Sequence, residues 1–77
     1  MCTVNILLKS INRAKEFLNI VSMLDANMDI ICGKYVINAK SAVAIFTLNL
    51  SQPLVLRIHK NAEDAEEIIA KLTDFIV

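Results

Sequence analysis

The only glycine of this 77-residue chain, Gly33, separates two short apolar runs at 28–32 and 35–38. Both runs are rich in β-branched and aromatic residues, and only Gly33 and Lys34 lie between them. Glycine reaches the positive φ that two-residue hairpin turns require, and β-branched residues favour strands. The sequence therefore predicts an antiparallel hairpin at 28–38, which any fold of this chain must accommodate.

Hydrophobic periodicity predicts the remaining elements. Alternation of apolar and polar residues indicates further strands at 3–9 and 54–59. A spacing of three and four residues indicates amphipathic helices at 13–24 and at 62–76, with a shorter helix at 42–48. Short side-chain oxygens that favour helix N-caps precede all three helices. These candidate caps are the segment 10–12, Ser41 and Asn61.

The order β-α-β-β-α-β-α predicts an α+β fold. We expect a four-stranded antiparallel sheet covered on one face by three helices, an open-faced β-sandwich, in a single domain of residues 1–77. The helix residues expected to face the core are Ala14, Phe17, Leu18, Val21, Leu24, Ala42, Ile45, Phe46, Ala62, Ala65, Ile68, Ile69, Leu72 and Ile76.

The charge balance argues against a nucleic-acid partner. Eight basic and eight acidic residues give a formal net charge of zero, whereas a nucleic-acid binder needs a cationic surface. RNA-recognition modules of similar topology also stack bases on strand aromatics, and Tyr35 is the only aromatic residue in the predicted strands. Zero net charge combined with 56% hydrophobic residues favours self-association, so a homodimer is one expectation.

The first residues, 1–5, lack the basic and apolar regions of a secretion signal, and no apolar run approaches the length of a membrane helix. Cys2 and Cys32 do not form a disulfide framework or a zinc motif. We therefore expect a cytoplasmic protein with reduced thiols, no membrane association and no metal.

The residues that could carry chemistry do not form a recognisable catalytic set. The only histidine, His59, lies at the end of a predicted strand, and we expect it to be an ordinary solvated side chain. Cys32 has no neighbour in sequence that would activate it. The acidic residues at 63–67 match the positive end of a helix dipole better than a metal site. The chain is therefore not expected to be an enzyme or to bind a cofactor.

The string at 33–41, followed by apolar residues to Leu50, resembles HPr, the histidine-containing phosphocarrier family of the bacterial sugar phosphotransferase system. The element order and length agree with that resemblance. It implies an HPr-like fold and phosphotransferase-system proteins as partners. It also implies that Ser41, which opens the second helix, is the regulatory phosphorylation site of an HPr-kinase-like enzyme. A plain N-cap is the alternative for Ser41.

The resemblance fails at the family's phosphorylatable histidine. That residue precedes the first helix and is followed by an arginine two positions later and then by a proline-alanine pair. In this chain Ser10 falls at the histidine, Asn12 at the arginine and Arg13 at the proline, whereas Ala14 matches. A serine phosphate ester lacks the transfer potential of a phosphoimidazole, so Ser10 is not expected to support a phosphoryl relay.

Three hypotheses follow. The first is a regulatory or protein-binding relative of HPr without carrier activity. The second is a phosphocarrier that uses His59, and the third is a small-ligand or dimerisation module of similar topology. The partner surface that the resemblance implies for the first hypothesis consists of Ser10, Asn12, Arg13, Lys15, Ser41, Ala42 and Val43.

Overall fold

A computed structural model of the protein describes residues 2–77 and contains a four-stranded antiparallel sheet. Its strands are β1 (Cys2–Ile6), β2 (Met28–Cys32), β3 (Tyr35–Asn38) and β4 (Leu54–Ile58). The spatial order is β1-β4-β2-β3, so β4 is inserted between β1 and β2. The predicted hairpin of β2 and β3 is confirmed, and Gly33 occupies its turn with a φ of 58°.

Three helices pack against one face of this sheet, as the sequence predicts. They are α1 (Ile11–Ser22), α2 (Ala42–Phe46) and α3 (Ala62–Lys71), and a 3₁₀ turn (Thr73–Phe75) follows α3. Each helix begins with a side-chain cap that accepts the backbone N–H three residues later. The capping residues are Ser10, Ser41 and Asn61.

The core lies between the helices and the inward face of the sheet. Along β4, Leu54, Leu56 and Ile58 are buried, whereas Val55 and Arg57 lie on the opposite face, as expected for an alternating strand. On the helical side, Phe17 and Phe75 are buried and meet edge to face, with ring centroids 5.6 Å apart. The buried helix residues also include Ala14, Val21, Ile45, Ala65 and Ile68, and Leu72, directly after α3, is buried as well.

Several predicted boundaries and burial assignments are wrong. β1 ends at Ile6 instead of residue 9, because the Leu7 N–H donates to the Phe75 carbonyl and the chain then turns towards α1. The helix predicted at 13–24 is α1 at Ile11–Ser22, since Ser10 itself supplies the cap. Phe46, expected in the core, is 40% exposed.

The other differences are at helix ends. α2 stops two residues before the predicted end at residue 48, and α3 gives way to a 3₁₀ turn instead of continuing to residue 76. Ala42 and Ala62, both expected in the core, are exposed because each is the first residue of its helix and lies beyond the edge of the packed face.

Replacing Phe17 by alanine should destabilise the protein by about 3–5 kcal/mol, because the substitution leaves a cavity and removes the edge-to-face contact with Phe75. The free energy of unfolding in urea measures this loss. Phe46→Ala is the matched control: its ring is partly exposed, so a much smaller loss is expected. Equal losses in the two variants would contradict the assigned core.

Candidate functional site

The backbone forms a sharp corner at residues 8–10, directly before α1. Lys9 has a φ of 74°, in the left-handed region, and the Ser10 N–H donates to the Leu8 carbonyl across it at 2.9 Å. The Lys9 N–H donates to the Leu50 carbonyl at 2.8 Å, which ties this corner to the loop before β4. The Ser10 hydroxyl oxygen accepts the Arg13 N–H at 3.2 Å. Ser10 is therefore exposed at the helix N-terminus and acts as its cap.

Arg13 connects this corner to the C-terminal segment. Its guanidinium lies 4.4 Å from the centre of the Phe75 ring, a cation–π geometry. One guanidinium nitrogen pairs with Glu16, and the other donates to the Asp74 carbonyl at 3.4 Å. The charge of Arg13 is thus directed largely towards partners within the protein, although its side chain remains partly exposed.

The start of α2 holds Ser41 in a similar position. Its hydroxyl oxygen accepts the Ala44 N–H at 3.4 Å, and its own N–H donates to the Asn38 carbonyl. The residue is half-buried, whereas Val43 in the first turn of α2 is 80% exposed. Ser41 therefore caps α2 from a protected position beside an exposed apolar side chain.

Ser10 and Ser41 lie towards opposite ends of the two packed helices, α1 and α2. Lys40, just before α2, donates from Nζ to the Leu24 carbonyl beyond the end of α1. The chain after α2 reaches the start of α1 through the Leu50–Lys9 hydrogen bond. The helices thus run in opposite directions, and the predicted partner-surface residues form two groups, one at the start of each helix.

His59 is not the ordinary solvated side chain that the sequence suggests. Its Nε2 lies 2.6 Å from Oδ2 of Asp29, and the Arg57 guanidinium donates to the same oxygen at 3.2 Å. All three side chains are about 30% exposed and lie on the face of the sheet that the helices leave open. Sequence reasoning missed Asp29 because it lies 30 positions away. The pairing of β2 with β4 places Asp29 opposite Arg57.

Two neighbouring side chains, His59 and Arg57, favour the ionised form of Asp29. The pKa of Asp29 is lowered, chiefly by the hydrogen bond with His59 and further by Arg57, while partial burial opposes the shift. The Arg57 Nε is buried without a hydrogen-bond partner among the described residues. This cluster of Asp29, Arg57 and His59 thus fixes the His59 ring through Nε2 on the open face of the sheet.

Other candidate chemistry is limited within residues 2–77. No group of three or more histidine, cysteine, aspartate or glutamate side chains there is placed to hold a metal ion. Cys2 and Cys32 are half-buried free thiols. No helix in the described part of the chain is long and apolar enough to cross a membrane.

The architecture matches that of a solved HPr structure. The crystal structure of HPr-C-His from Thermoanaerobacter tengcongensis superimposes with a TM-score of 0.77 at 27% sequence identity, and the match covers 96% of this chain and 89% of that one. These values define an HPr-like, open-faced β-sandwich. No curated protein matches the chain.

The sequence model of the family described as "PTS HPr component phosphorylation site" matches residues 10–77. The chain therefore belongs to the HPr family of the phosphotransferase system. Membership gives it a phosphocarrier-type function at the family level and other phosphotransferase-system proteins as the kind of partner. Proteins of this family are carriers and not enzymes.

The Asp29 cluster predicts a pH-dependent contribution to stability. Because the pKa of Asp29 is lower in the folded protein, the ionised form stabilises the fold above the ordinary pKa of an aspartate. That contribution is lost as the pH falls through the folded pKa, below about pH 4. Asp29→Asn should thus be less stable than the parent protein near neutral pH, and the difference should shrink in acid.

Urea unfolding of both proteins across this pH range measures the effect. Asp25→Asn is the control, because Asp25 is exposed. A constant difference between Asp29→Asn and the parent protein from neutral to acid pH would contradict the assigned role of the carboxylate.

Proposed function

We propose that this protein is a regulatory or protein-binding member of the HPr family that does not carry a phosphoryl group at the start of α1. The observation that supports this proposal most directly is the position of Ser10. Ser10 caps α1 at the site where the family resemblance expects the phosphorylatable histidine, and His59 is the only histidine in the chain. We further propose that residues 1–77 function as one domain in the cytoplasm, without a cofactor.

Ser10 and His59 lie near opposite ends of α1. The His59 N–H donates to the Asn27 carbonyl, which follows the C-terminal end of α1, whereas Ser10 begins that helix. Twelve helical residues span about 18 Å, so His59 does not substitute locally for a histidine at position 10. A serine ester at Ser10 would retain its phosphoryl group instead of passing it on.

The proposed docking surface follows the exposed sides of α1 and α2. Val43 is 80% exposed and Ile11 is 59% exposed, so each of the two helices presents a large apolar side chain to solvent. The exposed Lys15 and the partly exposed Arg13 add positive charge on α1, near Ile11. A partner with an apolar patch edged by carboxylates fits this surface. The complete proposed set is Ser10, Asn12, Arg13, Lys15, Ala42 and Val43.

Ser41 is the proposed regulatory site on this surface. A phosphate there would place a dianion at the N-terminus of α2, where backbone N–H groups are directed towards it. It would also place negative charge close to Val43 and so weaken docking to an acidic partner. The present contacts of Ser41 are equally those of a plain helix cap.

A phosphocarrier that uses His59 is the second candidate, favoured by the hydrogen bond between His59 and Asp29. If Nε2 donates to the Asp29 carboxylate, Nδ1 is left as the nucleophile, and a neighbouring carboxylate orients the ring. The partial exposure of the ring would allow access.

Incubation with the general phosphotransferase enzyme and labelled phosphoenolpyruvate distinguishes these functions. The proposal predicts no acid-labile label in the parent protein. Acid-labile label that disappears in His59→Ala but persists in Ser10→Ala would overturn it in favour of the second candidate. Acid-stable, base-labile label would indicate a serine ester, and loss of that label in Ser41→Ala would assign it to Ser41.

Docking is tested with the same enzyme as the binding probe. Val43→Asp should weaken binding by about tenfold or more, because it places a carboxylate in the apolar part of the surface. Val36→Asp is the matched control: Val36 is 54% exposed but lies in β3, outside the proposed docking surface. Titration calorimetry measures both affinities, and an equal effect of the two substitutions would contradict the proposed surface.

A further inference from the structure

The two edges of the sheet differ in how they are covered. At the β1 edge, the Val77 N–H donates to the Asn5 carbonyl, the Leu7 N–H donates to the Phe75 carbonyl, and Ile6 forms a bridge with Ile76. At the other edge, β3 pairs with β2 on one side and has no strand on its other side within residues 2–77. The open edge of the sheet is therefore that of β3.

The hydrogen-bond register identifies the backbone groups at this edge. The Ala39 N–H donates to the Met28 carbonyl at 3.0 Å, so residues 35, 37 and 39 direct their backbone groups towards β2. Val36 and Asn38 consequently direct theirs away from the sheet. The Asn38 carbonyl accepts the Ser41 N–H, which leaves both groups of Val36 and the N–H of Asn38 facing outwards.

We propose that β3 pairs antiparallel with β3 of a second copy of this chain, with Val36 opposite the partner's Val36. In that register each Val36 donates its N–H to the other's carbonyl, so the same two groups satisfy each other across a two-fold axis. The two four-stranded sheets then form one continuous sheet of eight strands. The dimer contact lies along β3 and is separate from the proposed docking surface on α1 and α2.

The side chains favour a second copy as the occupant. Tyr35 and Val36 are 74% and 54% exposed, and β3 contains no charged residue or proline of the kind that protects an edge strand. The register places Tyr35 opposite the partner's Ile37, and vice versa, which gives close apolar pairs. Lys34 would lie opposite the partner's Asn38, so no like charges oppose each other. The zero net charge removes long-range repulsion between copies.

A hollow beside the strand adds room for the partner's side chains. It has a volume of about 390 Å³, is mainly apolar, and lies on the helical face of β3. Ile37 contributes to its wall, and the partner's Tyr35 would stand opposite Ile37. The residues around it are Cys32, Tyr35, Ile37, Thr47, Leu48 and Asn49. Because paired four-residue strands bury less than a typical obligate interface, we expect a concentration-dependent dimer.

Sedimentation equilibrium over a wide range of protein concentrations tests the proposal. The parent protein should dimerise reversibly, and Val36→Lys should weaken dimerisation by at least about tenfold, because it places two ammonium groups opposite each other. Val43→Lys is the matched control: it puts the same charge on a more exposed valine outside the sheet and should leave the dimer intact. Circular dichroism establishes that both variants are folded.

A Val36→Cys variant tests the register. Paired residues of this type have Cα atoms about 5.5 Å apart, within the range of a disulfide, so mild oxidation should link two copies through position 36. Peptide mapping separates this link from one through Cys32, and Val43→Cys should not link. A parent protein that stays monomeric at all concentrations, or a dimer unaffected by Val36→Lys, would overturn the proposal. Binding of Val36→Lys to the general phosphotransferase enzyme is a separate readout, which tests the docking function alone.

Discussion

The insertion of β4 between β1 and β2 is the constraint on which the rest of the structure depends. It joins the first strand to the hairpin, and its inward residues Leu54, Leu56 and Ile58 form the central part of the buried face. The same insertion brings Arg57 opposite Asp29 and places His59 beside it. It also leaves β3 at the open edge. The core, the polar cluster and the proposed self-association surface thus share one topological cause.

The family's fold is retained here, and the residues at the start of α1 make mainly internal contacts. Ser10 satisfies a backbone N–H, and Arg13 contacts Phe75, Glu16 and the C-terminal backbone, so the corner is stabilised by internal contacts. A phosphocarrier requires a nucleophilic side chain that, once phosphorylated, readily passes the phosphoryl group to the next protein. The Ser10 hydroxyl caps the helix, but its phosphate ester would not transfer the phosphoryl group readily. For this reason we propose a docking role for the protein.

The elements that the sequence predicted best are those governed by local physics. The turn at Gly33 and the caps at Ser41 and Asn61 depend on residues within a few positions of one another, and all three are confirmed. Within the predicted capping segment 10–12, the structure identifies Ser10 as the cap. Helix and strand ends were predicted less well, because contacts distant in sequence decide them. β1, for example, ends where the backbone of Leu7 turns to Phe75.

The sequence by itself determined the order of elements, the alternating core positions, the hairpin and the absence of a histidine before the first helix. Only the tertiary structure decided which strands are neighbours, and therefore that His59 contacts Asp29 and that Ser10 and Ser41 lie towards opposite ends of α1 and α2. The physical reason is that periodicity reports which face of an element is buried, whereas strand order depends on how those faces fit together in three dimensions.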